Sequence, residues 1–157
     1  MNLDFTTRDE LDELIRQINT NYYERFNANI LYLEELADEI FVIYIIELRD
    51  AYSHLVRIFD YDINNQDGKR NAQQHLGEYV GHLQNGLLDT FRKILEKEYV
   101  SARKVIQKNN LRVFDQYIAQ EASRLRIMSD ENSVDNRITG YIELMKYLSE
   151  TRKKLEK

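Results

Sequence analysis

The chain has no cysteine, no proline and no tryptophan, and only five glycines in 157 residues. Without cysteine there is no disulfide framework, no thiolate metal site and no thiol nucleophile. Without proline, and with glycine this scarce, nothing forbids long uninterrupted helices, and the turn chemistry that must punctuate short strands is missing. Long apolar runs are also absent. The longest, "IFVIYII" at 40–46, has seven residues, far short of the ~20 a membrane-spanning helix needs. The N-terminal "MNLDFTTRDELDELIRQ" is acidic and amphipathic and lacks the basic start and apolar core of a secretory signal. These absences predict a cytoplasmic chain with no membrane contact.

What is present is charge and periodic hydrophobicity. Lys and Arg number 22 against 27 Asp and Glu, a formal net charge of −5, which argues against a broad non-specific nucleic-acid coat. Basic residues do gather locally, in "RKILEKEYVSARKVIQK" at 92–108 and "TRKKLEK" at the C-terminus. Alternating charge on solvated helix faces accounts for both clusters, and a local cationic strip is the competing reading.

Residues 1–157 read as a single all-α domain, an antiparallel bundle of about five helices built around two long central ones. A first helix starts at a cap, Thr6 or Thr7, and carries Leu11, Leu14, Ile15 and Ile18 toward Tyr22, with "FNANI" at 26–30 as the turn after it. The second is expected over about 29–61, from the recurrence of Phe41, Ile45, Leu48, Tyr52, Leu55 and Phe59 at steps of four and three. "DYDINNQDGKRN" is the clearest loop. A third helix carries Leu76, Val80, Leu83, Leu87, Phe91 and Ile94 to about Gln107, and "KNNL" breaks it. A fourth, with Val113, Phe114, Tyr117, Ile118, Ala122 and Leu125, is separated by "SDENSVDN" from a fifth with Ile138, Tyr141, Ile142, Met145 and Leu148.

The central helices also carry ionisable residues. Glu47, Asp50, His54 and Arg57 follow one another by three, four and three residues and so form a polar stripe beside the apolar one. Asp50, four residues before His54, can orient the imidazole, whereas Arg49 lies about 140° around the helix from it. Arg70, Asn71 and His75 repeat the spacing of Arg49, Asp50 and His54, and His82 follows His75 by seven residues. An antiparallel hairpin of the two central helices would bring His54 close to the third helix.

Other chemistries fit less well. "GEYVG" is no phosphate loop, since no strand precedes it and no Lys-Ser/Thr follows. The paired Glu-x-x-His motifs of a di-iron bundle are absent, so no metal and no cofactor is expected. The 11 tyrosines, among them Tyr44, Tyr52, Tyr79, Tyr117 and Tyr141, sit at helical spacing and read as core-edge groups before base-stacking platforms.

"RDAYSH" at 49–54 and "RNAQQH" at 70–75 resemble the motif of the HEPN superfamily, all-α domains in which an arginine, usually followed by Asn, Asp or His, precedes a histidine by four to six residues. The resemblance implies an HEPN-like fold and a metal-independent endoribonuclease of the toxin or phage-defence kind, with a composite site formed by a homodimer. In that picture the ribose 2′-hydroxyl attacks the adjacent phosphate, His54 moves the proton, Arg49 stabilises the phosphorane charge and Asp50 orients the imidazole. Arg70, Asn71 and His75 form the reserve set. Many members place a tyrosine two residues after the histidine; Val56 and Gly77 stand there instead. The rival expectation is a non-catalytic helical module that dimerises or binds a protein encoded beside it, with the polar stripe as a specificity network.

Overall fold

A computed structural model describes residues 2–37, 41–106, 108–128 and 133–155. Helix α1 spans Arg8–Ile18, a π-helical segment covers Asn19–Tyr23, and α2 spans Glu24–Ala37; these three are continuous and make one rod. Helices α3 (Val42–Ile58), α4 (Gln66–Val105), α5 (Lys108–Ile127) and α6 (Ser133–Leu155) follow. Counting the rod once gives five helices among the described residues and no strand, the all-α fold the sequence predicts. No described helix is long and apolar enough to cross a membrane.

The chain divides into two compact units, residues 1–87 and 88–157, with the changeover inside α4. In the first unit α1 starts on a capping box: the Thr7 hydroxyl accepts from the Glu10 backbone N–H, while the Glu10 carboxylate accepts from the backbone N–H groups of Thr6 and Thr7. The helix then runs past the expected turn. "FNANI" is helical because Phe26 and Ile30 are core residues, in line with Leu11, Ile15, Ile18 and Tyr22 before them and Leu33 after. Phe26 comes four residues after Tyr22, one later than a strict four-three alternation gives, and the π segment between absorbs that extra residue. At its end the Glu24 backbone N–H donates to the Asn19 carbonyl, five residues back.

The expected 29–61 helix is correspondingly two helices. Phe41, with φ −92° and ψ 78°, is a non-helical N-cap, so α3 starts only at Val42. The apolar run is helical from there, as its periodicity predicts, but apart from Tyr44 its helical residues are exposed: Val42 and Ile43 are each 60% exposed. The inner face of α3 is rotated from the expected stripe. Tyr44, Ala51 and Ile58, seven residues apart, are buried, whereas Ile45, Tyr52 and Phe59 are part-exposed, the last two at the edge of the rod.

Residues 59–65 connect α3 to α4. Asp62 accepts from the Asn64 backbone N–H and side chain, and Asn65 caps α4 by accepting from the Gly68 N–H at 2.7 Å. The expected loop is thus shorter than "DYDINNQDGKRN", whose second half is helical. Contacts of α3 with α4 pair residue 54 with 75 and 47 with 82, an antiparallel hairpin. The rod crosses α3 in the opposite sense, with Arg8 at Phe59 and Tyr23 at Tyr52, and runs parallel to α4, with Asn19 at Tyr79. Phe26 sits against Gly86, where a Cβ would collide with the ring.

In the second unit α4 carries Phe91 and Ile94 into a core shared with α5 and α6. Phe91 stacks on Tyr141, Tyr99 on Phe114 and Phe114 on Tyr147. Arg152 reaches the nearly buried Glu98 at 3.2 Å, and the Asp115 carboxylate accepts from the Tyr99 hydroxyl and from Arg103. α4 ends at Val105, within two residues of the expected Gln107, and "KNNL" forms the start of α5 at Lys108 rather than the break itself. Of "SDENSVDN", residues 129–132 lie outside the described residues and Ser133 opens α6. A groove of about 620 Å³ is lined by Val113, Phe114 and Tyr117 of α5 and Tyr147, Thr151 and Lys154 of α6.

Candidate functional site: a histidine layer between α3 and α4

Glu47 and His54 flank the buried Ala51 on the inner side of α3, and α4 meets them with His75, Glu78 and His82, which recur on one face at steps of three and four. Two polar layers result. In one, the His82 Nδ1 lies 2.9 Å from a Glu47 oxygen. In the other, the His54 Nδ1 lies 2.7 Å from Glu78 Oε2 and 3.0 Å from the His75 Nδ1, which is itself 3.3 Å from the same oxygen.

The rings form a ladder: Tyr61 stacks on His75, His75 lies against His54 at 5.3 Å, and His54 stacks on His82 at 5.3 Å. The Tyr61 hydroxyl is 3.3 Å from the His75 Nε2, and the Gln74 amide donates to Glu78 Oε1 at 3.1 Å. The outer edges of His75 and Glu78 are thereby held, and their inner atoms converge on His54. The His54 and His75 side chains keep 21% and 13% of their surface exposed.

Burial pushes the His54 imidazole below its ordinary pKa. The Glu78 carboxylate opposes the shift, and His82, His75 and Arg57 reinforce it. Glu78 is held below the usual carboxylate range by its bond from Gln74, then by the neighbouring imidazoles. A neutral His54 beside an ionised Glu78 can donate its Nδ1–H to the carboxylate, which fixes the tautomer and leaves Nε2 with a lone pair.

The structure therefore brings together the histidines of both motifs, and not the arginines. Arg49 is 71% exposed and bonds Asp50 through Nε and Nη2 at 3.0 and 2.7 Å. Asp50 is thus engaged by its neighbour, and the carboxylate on His54 is Glu78. Arg70 and Asn71 are exposed on α4. Glu78 is not among the residues singled out by spacing, and Glu47 and His82, which are, carry no signal in the sequence that they pair. A signal for Glu78 does exist in its place one turn after His75, but only the register of the hairpin shows that it reaches His54.

His54, His75 and Glu78 also place three ligand-type atoms within 4.8 Å of one another. No protein-family model, no curated protein and no solved structure matches the chain.

Proposed function

We propose that the chain is a helical interaction module that pairs with a second copy of itself through the outer face of α3. The observation that carries this reading is the exposure of Val42, Ile45, Ile46 and Val56 at helical steps on a side of α3 away from its core face, with the part-exposed Tyr52 and Phe59, which the rod meets through Tyr23 and Arg8, at the edge of the stripe. An apolar stripe of this kind marks an interaction surface.

The pattern is also self-complementary, as a two-fold interface requires. With two copies of α3 antiparallel about a point between Asp50 and Ala51, Val42 faces the second copy's Phe59 and Ile45 its Val56. Arg49, the charge within the stripe, then meets the second copy's Tyr52 while keeping its own Asp50 as partner. A 17-residue helix is ~26 Å long, and one such stripe buries less than the ~800 Å² per partner of a tight complex, so association is expected in the micromolar range.

Light scattering over a concentration series should show the 18.9 kDa chain passing to twice that mass between about 1 and 200 μM, near the affinities such an area supports. Ile45→Asp with Val56→Asp should hold it monomeric while its circular dichroism is unchanged. A strict monomer throughout the series, or a dimer indifferent to both substitutions, overturns the reading.

A second reading, metal-independent RNA cleavage, is favoured by one observation: the histidines of the two HEPN-like motifs meet, and His54 is the one whose charge burial suppresses. It requires cleavage in EDTA that leaves 2′,3′-cyclic phosphate ends and falls by about 10²-fold or more in His54→Ala. Cleavage unchanged in that variant removes it.

A further inference from the structure

We propose that His54, His75 and Glu78 bind a divalent first-row transition-metal ion that ties α3 to α4. The inference is independent of self-association through the outer face of α3.

Size supports it first. Bonds of ~2.0–2.1 Å from an ion to nitrogen and oxygen place neighbouring ligand atoms ~3.0 Å apart at right angles and ~3.3 Å apart in a tetrahedron. The three inner atoms are 2.7, 3.0 and 3.3 Å apart, so an ion can sit over them with shifts of a few tenths of an ångström.

The ligand chemistry agrees. Two imidazoles and one carboxylate suit Zn²⁺ or Fe²⁺, carry one negative charge toward a dication, and leave coordination positions for water or another ligand. The outer atoms are braced as metal ligands usually are, His75 by the Tyr61 hydroxyl and Glu78 by the Gln74 amide. Glu78, 40% exposed, leaves a way in.

Without metal, the His54 Nδ1–H can donate to Glu78 Oε2 or to the His75 Nδ1, so an ion bound here displaces a proton shared among these atoms. His82 belongs to the ladder and not to the ligand set, because its Nδ1 is engaged by Glu47.

Calorimetric titration of the full chain, stripped of metal and titrated with Zn²⁺, should give one ion per chain. Co²⁺ should develop the strong visible absorption of a low-coordinate nitrogen and oxygen site. His75→Ala and Glu78→Gln should each weaken Zn²⁺ by tenfold or more, while His82→Ala stays within about threefold, since even outer partners of a ligand are worth about 10- to 100-fold.

Glu78→Gln keeps the side-chain shape, so its melting temperature in EDTA should match wild type. Zn²⁺ at about a hundredfold excess over Kd should raise the wild-type melting temperature by roughly 5–10 °C and leave the variant unmoved. The proposal is overturned by the absence of saturable binding up to millimolar Zn²⁺, by binding that survives the His75→Ala, Glu78→Gln double variant, or by binding lost in His82→Ala.

Discussion

Tyr79 is nearly inaccessible, and its hydroxyl donates to the Asn19 side chain in the π segment. Burial and the neighbouring phenols of Tyr52 and Tyr23 hold its pKa well above the ordinary value, and Tyr52 is pushed up to about 12 by burial and its hydrogen bond with Tyr23. An unfolded phenol ionises near pH 10, so above about that pH the unfolded chain loses these protons before the folded one. Stability is therefore full below pH ~10 and declines as pH rises toward the folded values. Tyr79→Phe should lower stability at pH 8 by about 1 kcal/mol, the worth of a buried hydrogen bond whose acceptor is left unpaired. It should also flatten the alkaline decline measured by urea melts between pH 9 and 11; an unchanged slope would place that decline on other groups. At this scale the sequence was a fair guide to which polar residues matter and a poor one to their partners. His54 and His75 stand out by spacing, but which carboxylate reaches them depends on a hairpin register that no local pattern encodes.

Helix α4 shows how one residue type can act in opposite directions within an element. Gly77, Gly81 and Gly86 all lie in its interior. A Cβ at Gly77 or Gly81 meets nothing, so Gly77→Ala and Gly81→Ala should each stabilise by about 0.5–1 kcal/mol through helix propensity and lost unfolded-state freedom. A Cβ at Gly86 collides with the Phe26 ring, and an overpacking cost of about 1–3 kcal/mol should outweigh the same propensity gain. Thermal melts of the three variants should show two increases and one decrease, and a uniform increase would mean that the rod yields at Phe26. The long stripe of α4 was legible because Leu76, Val80, Leu83, Leu87, Phe91 and Ile94 are all buried where spacing puts them. The turn at "FNANI" was misplaced because two asparagines outweighed the continuity of Phe26 and Ile30. On α3 two stripes compete, and periodicity alone ranks the outer one, with Ile45, Tyr52 and Phe59, above the inner one interrupted by Ala51.

For the whole molecule, charge bears on assembly. Two copies that each carry −5 repel at long range, while the apolar stripe is indifferent to salt. Raising salt from about 20 to 200 mM should therefore tighten self-association, the reverse of the steep weakening expected where basic residues neutralise nucleic-acid phosphates. Sedimentation at the two salt concentrations distinguishes them, and weakening with salt would shift weight to the Arg49 contact or to an anionic partner. The all-α class followed from composition, since no proline and five glycines leave long helices as the economical solution. The changeover near residue 87 was invisible because the α4 stripe crosses it without a break.

The π segment sets where this chain can change length. A residue gained or lost in a regular helix turns everything beyond it by ~100°, which would carry Phe26, Ile30 and Leu33 off the core. Residues 19–23 already hold one residue more than an α-helical turn, so deleting the exposed Thr20 or Asn21 would relax the segment to α-helix and leave the downstream face in place. The same deletion at Asn27 or Ala28 has no such reserve. Single-residue deletions among relatives of this protein should therefore collect at Thr20 and Asn21 and be missing from the turn that follows.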